Sequence, residues 1–201
     1  EATSLDTFYA ASRPPSLSQC DGISLTGMFA TALNLLELNV EEVNRLNVFP
    51  VPDGDTCVNM FLTLTEVVTQ AKRIESTSVA EVSKLMSDTA LLAARGNSGV
   101  ILSQLFKGFA DHFECMEQIQ PRDLLEAFVP AAIAAYAATS HPREGTILTV
   151  IREVSEIAID PQSTSFPQVL KAMCDTALST VIQTPNMLPV LWEAGVVDAG
   201  G

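Results

Sequence analysis

Two carboxylates stand two residues apart, Asp53 and Asp55, in the stretch "NVFPVPDGDTCVNM" (Asn47–Met60). Gly54 between them lets the backbone bend so that both side chains face one way. Carboxylates aimed together repel unless a cation lies between them. Mg2+ wants hard oxygen ligands and commonly takes one or two carboxylates plus substrate phosphates. A structural reading competes: Asp-Gly is a common turn, and Asp55 could be the N-cap of the helix that follows. Thr56, Cys57, Val58 and Asn59 form the first turn of that helix, whose free N–H groups suit an anion.

Two further stretches share this logic. "LLAARGNSGVILSQLF" (Leu91–Phe106) ends one helix at Gly96 and begins another at Asn97 or Ser98. Its small residues, Gly96, Ser98 and Gly99, allow close backbone approach to a phosphate; a plain helix–glycine–helix corner accounts for the same pattern. "PREGTIL" (Pro142–Leu148) sets Gly145 and Thr146 at a third helix start. Arg95 and Arg143 flank two of these stretches, either to neutralise developing charge or to cap and solvate helix ends. Of the two histidines, His112 reads as a solvated residue at a helix C-terminus. His141 lies beside Pro142 in a loop near the third stretch. Trp192, in "PVLWEAGVV", could face an adenine ring or finish the core, and core is favoured. With so few bases, a carboxylate substrate, ionised at pH 7, is favoured over a hydroxyl that needs deprotonation. No residue is singled out as catalytic.

The elements that must position these groups are helical. Pro50 and Pro52 lack N–H groups and push Phe49 and Val51 towards extended backbone. One helix must therefore stop near Leu46 or Asn47, and the next can begin only around Asp55 or Thr56. Apolar residues recur at spacings of three and four: Met28, Phe29, Ala32, Leu33 and Leu36 form one stripe, and Met60, Leu62, Leu64, Val67 and Val68 a second. Val79, Val82, Leu85, Met86, Ala90 and Leu92 make a third, opened by a capping box of Ser78 and Glu81. Further helices are predicted at about 121–139, 144–159 and 165–184, the last opened by Ser165 with Gln168, and a short one near 186–194. That gives about eight helices and no alternating strand, with no repeat that would suggest a solenoid. One all-α domain is expected over 21–201, behind a loose arm or expression remnant at 1–20.

The 201 residues, 47% hydrophobic and 17% charged, suffice for a sizeable core. No apolar run approaches the roughly 20 residues of a membrane span, and no signal peptide is visible. A net charge of −13, from 24 acidic and 11 basic residues, opposes binding to nucleic acid. ATP remains compatible, because a bound cation inverts the local field. The four cysteines are scattered without metal-ligand spacing, which argues against zinc and for a reduced, cytoplasmic protein.

Taken together, "LNVFPVPDGDT", "ARGNSGVILSQLFKGF", "EGTILTV" and "AGVVDAGG" closely resemble the N-terminal nucleotide-binding (Dak2/DhaL-like) domain of bacterial fatty acid kinase, itself related to the ATP-binding subunit of dihydroxyacetone kinase. The resemblance runs from about Asp21 to Gly201. It implies an eight-helix up-and-down barrel or bundle holding ATP and one or two Mg2+ ions at one mouth. Asp53 and Asp55 match two of the three metal-binding aspartates of dihydroxyacetone kinases, and Asn47 is the nearest match to the third. By the same matching Thr56, Cys57, Val58, Asn59, Asn97 and Ser98 contact phosphates, while Thr146, Asp198, Ala199 and Gly200 lie near the nucleotide's other end. Cys57 stands where the family usually has glycine, which weakens binding if the backbone there needs φ > 0. The implied activity is phosphorylation of an acyl carboxylate carried by a separate lipid-binding protein. Further domains are implied beyond this chain, through which a homodimer could form, and this fragment alone is not expected to be fully active. The alternatives are a dihydroxyacetone-kinase-type subunit and a non-catalytic nucleotide-binding regulatory module.

Overall fold

Proline, glycine and capping residues divide the chain into helices, and the computed structural model describes residues 18–158 and 165–201. Most of the segment read as an N-terminal arm, and the last residue of the helix predicted at 144–159, lie outside the described residues. Helix α1 (Gly22–Leu38) is separated from α2 (Val40–Arg45) only by Asn39. Next come α3 (Thr56–Ile74), α4 (Val79–Ala93) and α5 (Gly96–His112). The helix predicted at 121–139 is divided at Ala127 into α6 (Pro121–Glu126) and α7 (Phe128–Ala137). Then follow α8 (Ile147–Ser155), α9 (Phe166–Met187) and α10 (Pro189–Ala194). If α1–α2 and α6–α7 are each counted as one bent rod, the all-α bundle has eight members among the described residues, as expected. Among the described residues there is no strand, only an isolated antiparallel bridge between Cys20 and Ile119.

The helix starts show the anticipated chemistry, with one variation. Ser78 accepts a hydrogen bond from the Glu81 N–H, but the Glu81 carboxylate reaches the Ser78 N–H only through the Ser76 hydroxyl. At α9 the box is direct: Gln168 Oε1 accepts from the Ser165 N–H at 2.8 Å. The helix predicted to end at 184 runs on through Pro185 to Met187. Proline removes the N–H that would bond the Val181 carbonyl, and the Thr184 hydroxyl donates to that carbonyl instead, at 2.7 Å.

Helix α5 is the central strut, packed against α3, α4 and α7. Its apolar face carries Phe106 and Phe109 into a core with Leu25, Leu64, Val67, Val82 and Met86. Phe29 and Phe106 stand 4.9 Å apart between ring centroids, and Phe109 meets Phe128 edge-on at 5.0 Å. At Gly108 the backbones of α5 and α7 touch, so that a Cβ there would collide with the main chain of Ala131. Trp192 corrects its sequence assignment. It is 70% exposed, because the single turn and a half of α10 buries Leu191 and points its neighbour outward. No helix among the described residues is long and apolar enough to cross a membrane.

Candidate functional site

Helices α3, α5 and α8 all begin at one end of the bundle, where α7 finishes. The 47–55 loop and the C-terminal Asp198–Gly200 segment complete the wall of a cavity of about 540 Å3. Helix N-termini carry partial positive charge and unsatisfied N–H groups. Neither Asp55 nor Arg95, the residues preceding α3 and α5, supplies a side-chain cap. Three helix starts, two of them uncapped by the preceding side chain, converge on one cavity, an arrangement that suits an anion.

The approach loop is organised by Asn47, only 6% exposed. Its Oδ1 accepts from the N–H groups of Gly54 (3.0 Å) and Asp55 (3.3 Å), and its Nδ2 donates to the carbonyls of Phe49 and Val51. The amide therefore clamps the loop from both sides, with both oxygen lone pairs engaged. Gly54 takes φ +69°, a left-handed conformation that a side chain resists. Asp53 and Asp55 line the cavity, and neither carboxylate has a hydrogen-bond or ion-pair partner among the described residues. The capping role open to Asp55 is not taken.

Cys57 is fully buried in the first turn of α3, without a positive φ. A side chain at this position is thus compatible with the backbone. Its N–H is committed to Asn44 Oδ1 at 2.8 Å, and burial pushes the thiol pKa up, away from reactivity. Of the stretch Thr56–Asn59, Thr56 and Asn59 reach the cavity wall; Cys57 and Val58 do not. Across from them α5 begins at Gly96, one residue before the predicted start. Gly96 has φ +57°, and a Cβ on it would strike the Asn59 side chain. Ser98 ties the two helix starts together by donating to the Thr56 carbonyl at 3.1 Å. Gly96, Asn97 and Ser98 all line the cavity.

At the third helix start Gly145 takes φ +79° and Thr146 caps α8. Glu144 braces this corner by accepting from Tyr136 Oη and Thr149 Oγ1, both at 2.8 Å, and from Arg152 at 3.1 Å. Partial burial works against its charge, but these hydrogen bonds outweigh it and hold the carboxyl below its ordinary range. Thr146, His141 and Arg143 line the cavity, whereas Arg95 is exposed and outside the wall.

Asp198 and Gly200 line the cavity, and Ala199 between them does not. The Asp198 N–H donates to Thr184 Oγ1 at 3.0 Å, the same hydroxyl that serves the Val181 carbonyl. The Asp198 side chain is 7% exposed and its Oδ2 has no hydrogen-bond partner. Burial pushes its pKa up to about 6, against the pull of backbone N–H groups of Ile147, Gly201 and Gly200. Asn44, Glu144 and Thr184 were missed at the sequence level, since each acts on a site residue through a contact that helical spacing does not reveal.

Among known proteins, the model of the DAK2 domain matches residues 50–201. Protein YloV of Bacillus subtilis is 38% identical over 188 residues, covering 92% of this chain and 34% of that protein. An uncharacterized protein of Staphylococcus saprophyticus is 40% identical over 187 residues, and one of Staphylococcus aureus 39%, with the same coverage. The chain spans about a third of the length of these relatives.

Proposed function

The chain belongs to the DAK2 domain family, and from that premise we propose that it is the ATP- and Mg2+-binding domain of a fatty acid kinase, acting on an acyl carboxylate that a separate lipid-binding protein presents. The observation that carries this reading is the pair Asp53 and Asp55, without hydrogen-bond or ion-pair partners among the described residues, facing a cavity on which three helix starts converge. The pair would supply hard oxygen donors for Mg2+, which commonly takes one or two carboxylates together with substrate phosphates. Asn47, its amide oxygen engaged by two N–H groups, aims the pair and does not itself hold the ion. Phosphates lie against Thr56, Asn59, Asn97 and Ser98, and the nucleotide's other end lies towards Thr146, Asp198 and Gly200.

Mg2+ held by Asp53 and Asp55 would supply positive charge against the phosphates during transfer. The residues of this chain contribute orientation and fixed N–H dipoles, which need no reorganisation during the reaction. One carboxylate oxygen of the acyl substrate attacks the γ-phosphorus. The bond from that phosphorus to the β,γ-bridging oxygen breaks, and ADP leaves with no proton to place. Arg143, on the cavity wall, adds positive charge.

A second reading has one observation in its favour. His141 also lines the cavity, and a triose hydroxyl, as in dihydroxyacetone kinases, would need such a base. Turnover by the full-length protein separates the two. With ATP, Mg2+ and a fatty acid on a lipid-binding protein, ADP release should match an acyl phosphate trapped as its hydroxamate, and dihydroxyacetone should give none. Turnover with the triose alone overturns the fatty acid reading. Nucleotide binding without turnover on either substrate points to a regulatory module.

A further inference from the structure

A second group of metal-capable side chains lies at the far end of α5. This helix starts at the cavity with Gly96 and finishes at His112, 17 residues and therefore about 25 Å away. There His112 faces α6, whose Asp123 and Glu126 project from one side at helical spacing of three. One imidazole nitrogen of His112 and one oxygen of each carboxylate lie within 4.8 Å of one another.

Three features distinguish this group from a solvated histidine near acidic neighbours. His112 Nε2 is shut off from solvent and has no hydrogen-bond partner, which corrects the solvated role read from the sequence and leaves a polar atom unmet in the fold. The imidazole makes no direct ion pair with either carboxylate among the described residues. Each carboxylate is also held in place by one oxygen and keeps the other. Asp123 Oδ2 accepts from the Gln120 N–H at 2.7 Å, and Glu126 Oε1 accepts from Arg122 Nε at 2.5 Å. Carboxylates anchored beside an imidazole that makes no ion pair with them form the kind of supported donor set that a metal site requires.

We propose that His112, Asp123 and Glu126 bind a divalent transition metal, Zn2+ in the first instance, as a clip between the end of α5 and α6. One nitrogen and two oxygen donors suit Zn2+ better than Mg2+, which avoids imidazole, and solvent fills the remaining position. Binding draws the donors from their present separation to the distances of about 2.0–2.2 Å that Zn2+ takes. The ion secures the C-terminal end of the central helix and takes no part in chemistry at the cavity.

The test is Zn2+ titration by calorimetry, with melting temperature in parallel. It uses a chain in which Asp53→Asn and Asp55→Asn disable the cavity pair and Cys115→Ser and Cys174→Ser remove the exposed thiols. One equivalent of Zn2+ should bind and raise the melting temperature, while Mg2+ at the same concentration should not compete. Adding His112→Gln, or separately Glu126→Gln, should weaken Zn2+ binding at least tenfold with the helical circular dichroism unchanged. Unaltered stoichiometry and affinity in both variants, or no Zn2+ binding before they are made, overturns the proposal. The cavity pair is disabled throughout, so neither result bears on the nucleotide site.

Discussion

Asn47 spends its whole side-chain amide on the loop it precedes, joining two carbonyls to the N–H groups of Gly54 and Asp55 within the Asp53–Asp55 bend. Removing it leaves those groups without their partner, each at a cost of about 1–3 kcal/mol where water cannot replace the bond. Asn47→Ala is therefore expected to lower stability by about 3 kcal/mol in urea unfolding and to weaken Mg2+-dependent nucleotide binding. Asn47→Asp keeps the acceptor and loses the donors, so its stability should fall between the two. Asp198 provides a prediction with a definite sign. Its folded pKa of about 6 lies above the ordinary 3.8, so between these pH values the folded state holds a proton that the unfolded chain has released. The stabilisation of the protonated form is complete below pH 4 and is lost as pH rises towards 6, by about 3 kcal/mol at most. Asp198→Asn, neutral at every pH, should flatten this slope and make the protein more stable at pH 7.5 than the unsubstituted chain. Urea unfolding at pH 4.5 and 7.5 checks both statements; equal pH dependence in the two proteins would show that Asp198 is not the group responsible.

Elements place these residues through close approaches at glycine. At Gly99 an added Cβ would sit 2.7 Å from Thr63 Oγ1, a buried hydroxyl that bonds the Asn59 carbonyl and accepts from the Arg95 N–H where α3 and α5 abut. At Gly108 the same helix meets α7 main chain to main chain. Gly27, exposed in the middle of α1, has nothing within 4 Å of where a Cβ would stand. Glycine-to-alanine substitutions should thus have opposite signs. Gly108→Ala should destabilise by about 3 kcal/mol through overpacking, and Gly27→Ala should stabilise by about 0.5–1 kcal/mol through helix propensity. Melting curves of the two variants measure the contrast. The helices themselves were legible in the apolar spacing and the caps, because those are local. Their interruptions at Asn39 and Ala127 were not, nor was the continuation of α9 through Pro185, which depends on the hydroxyl of Thr184.

On the scale of the whole molecule, four segments distant in the sequence form one cavity: 47–59, 96–101, 138–148 and 198–200. Each was recognisable alone as a helix start or a loop with small residues. Their convergence was legible only through the family resemblance, since it follows from how α3, α5, α7 and α8 pack, which no single segment encodes. Trp192 was misassigned for a related reason: size and hydrophobicity suggest burial, but the bundle has no neighbour on that side of α10 among the described residues. The net charge of −13 sets the electrostatic problem for the proposed nucleotide, since the carboxylates at the centre of the cavity would repel a polyphosphate unless a cation joined them. Calorimetric titration with ATP, with and without Mg2+, tests this on the unsubstituted chain and on Asp53→Ala and Asp55→Ala. Binding should require Mg2+, and each substitution should abolish it while the helical signal is retained. Equal binding without Mg2+, or substitutions that lower only the melting temperature, would contradict the account and leave the Asp53–Asp55 bend as a turn in a helical scaffold.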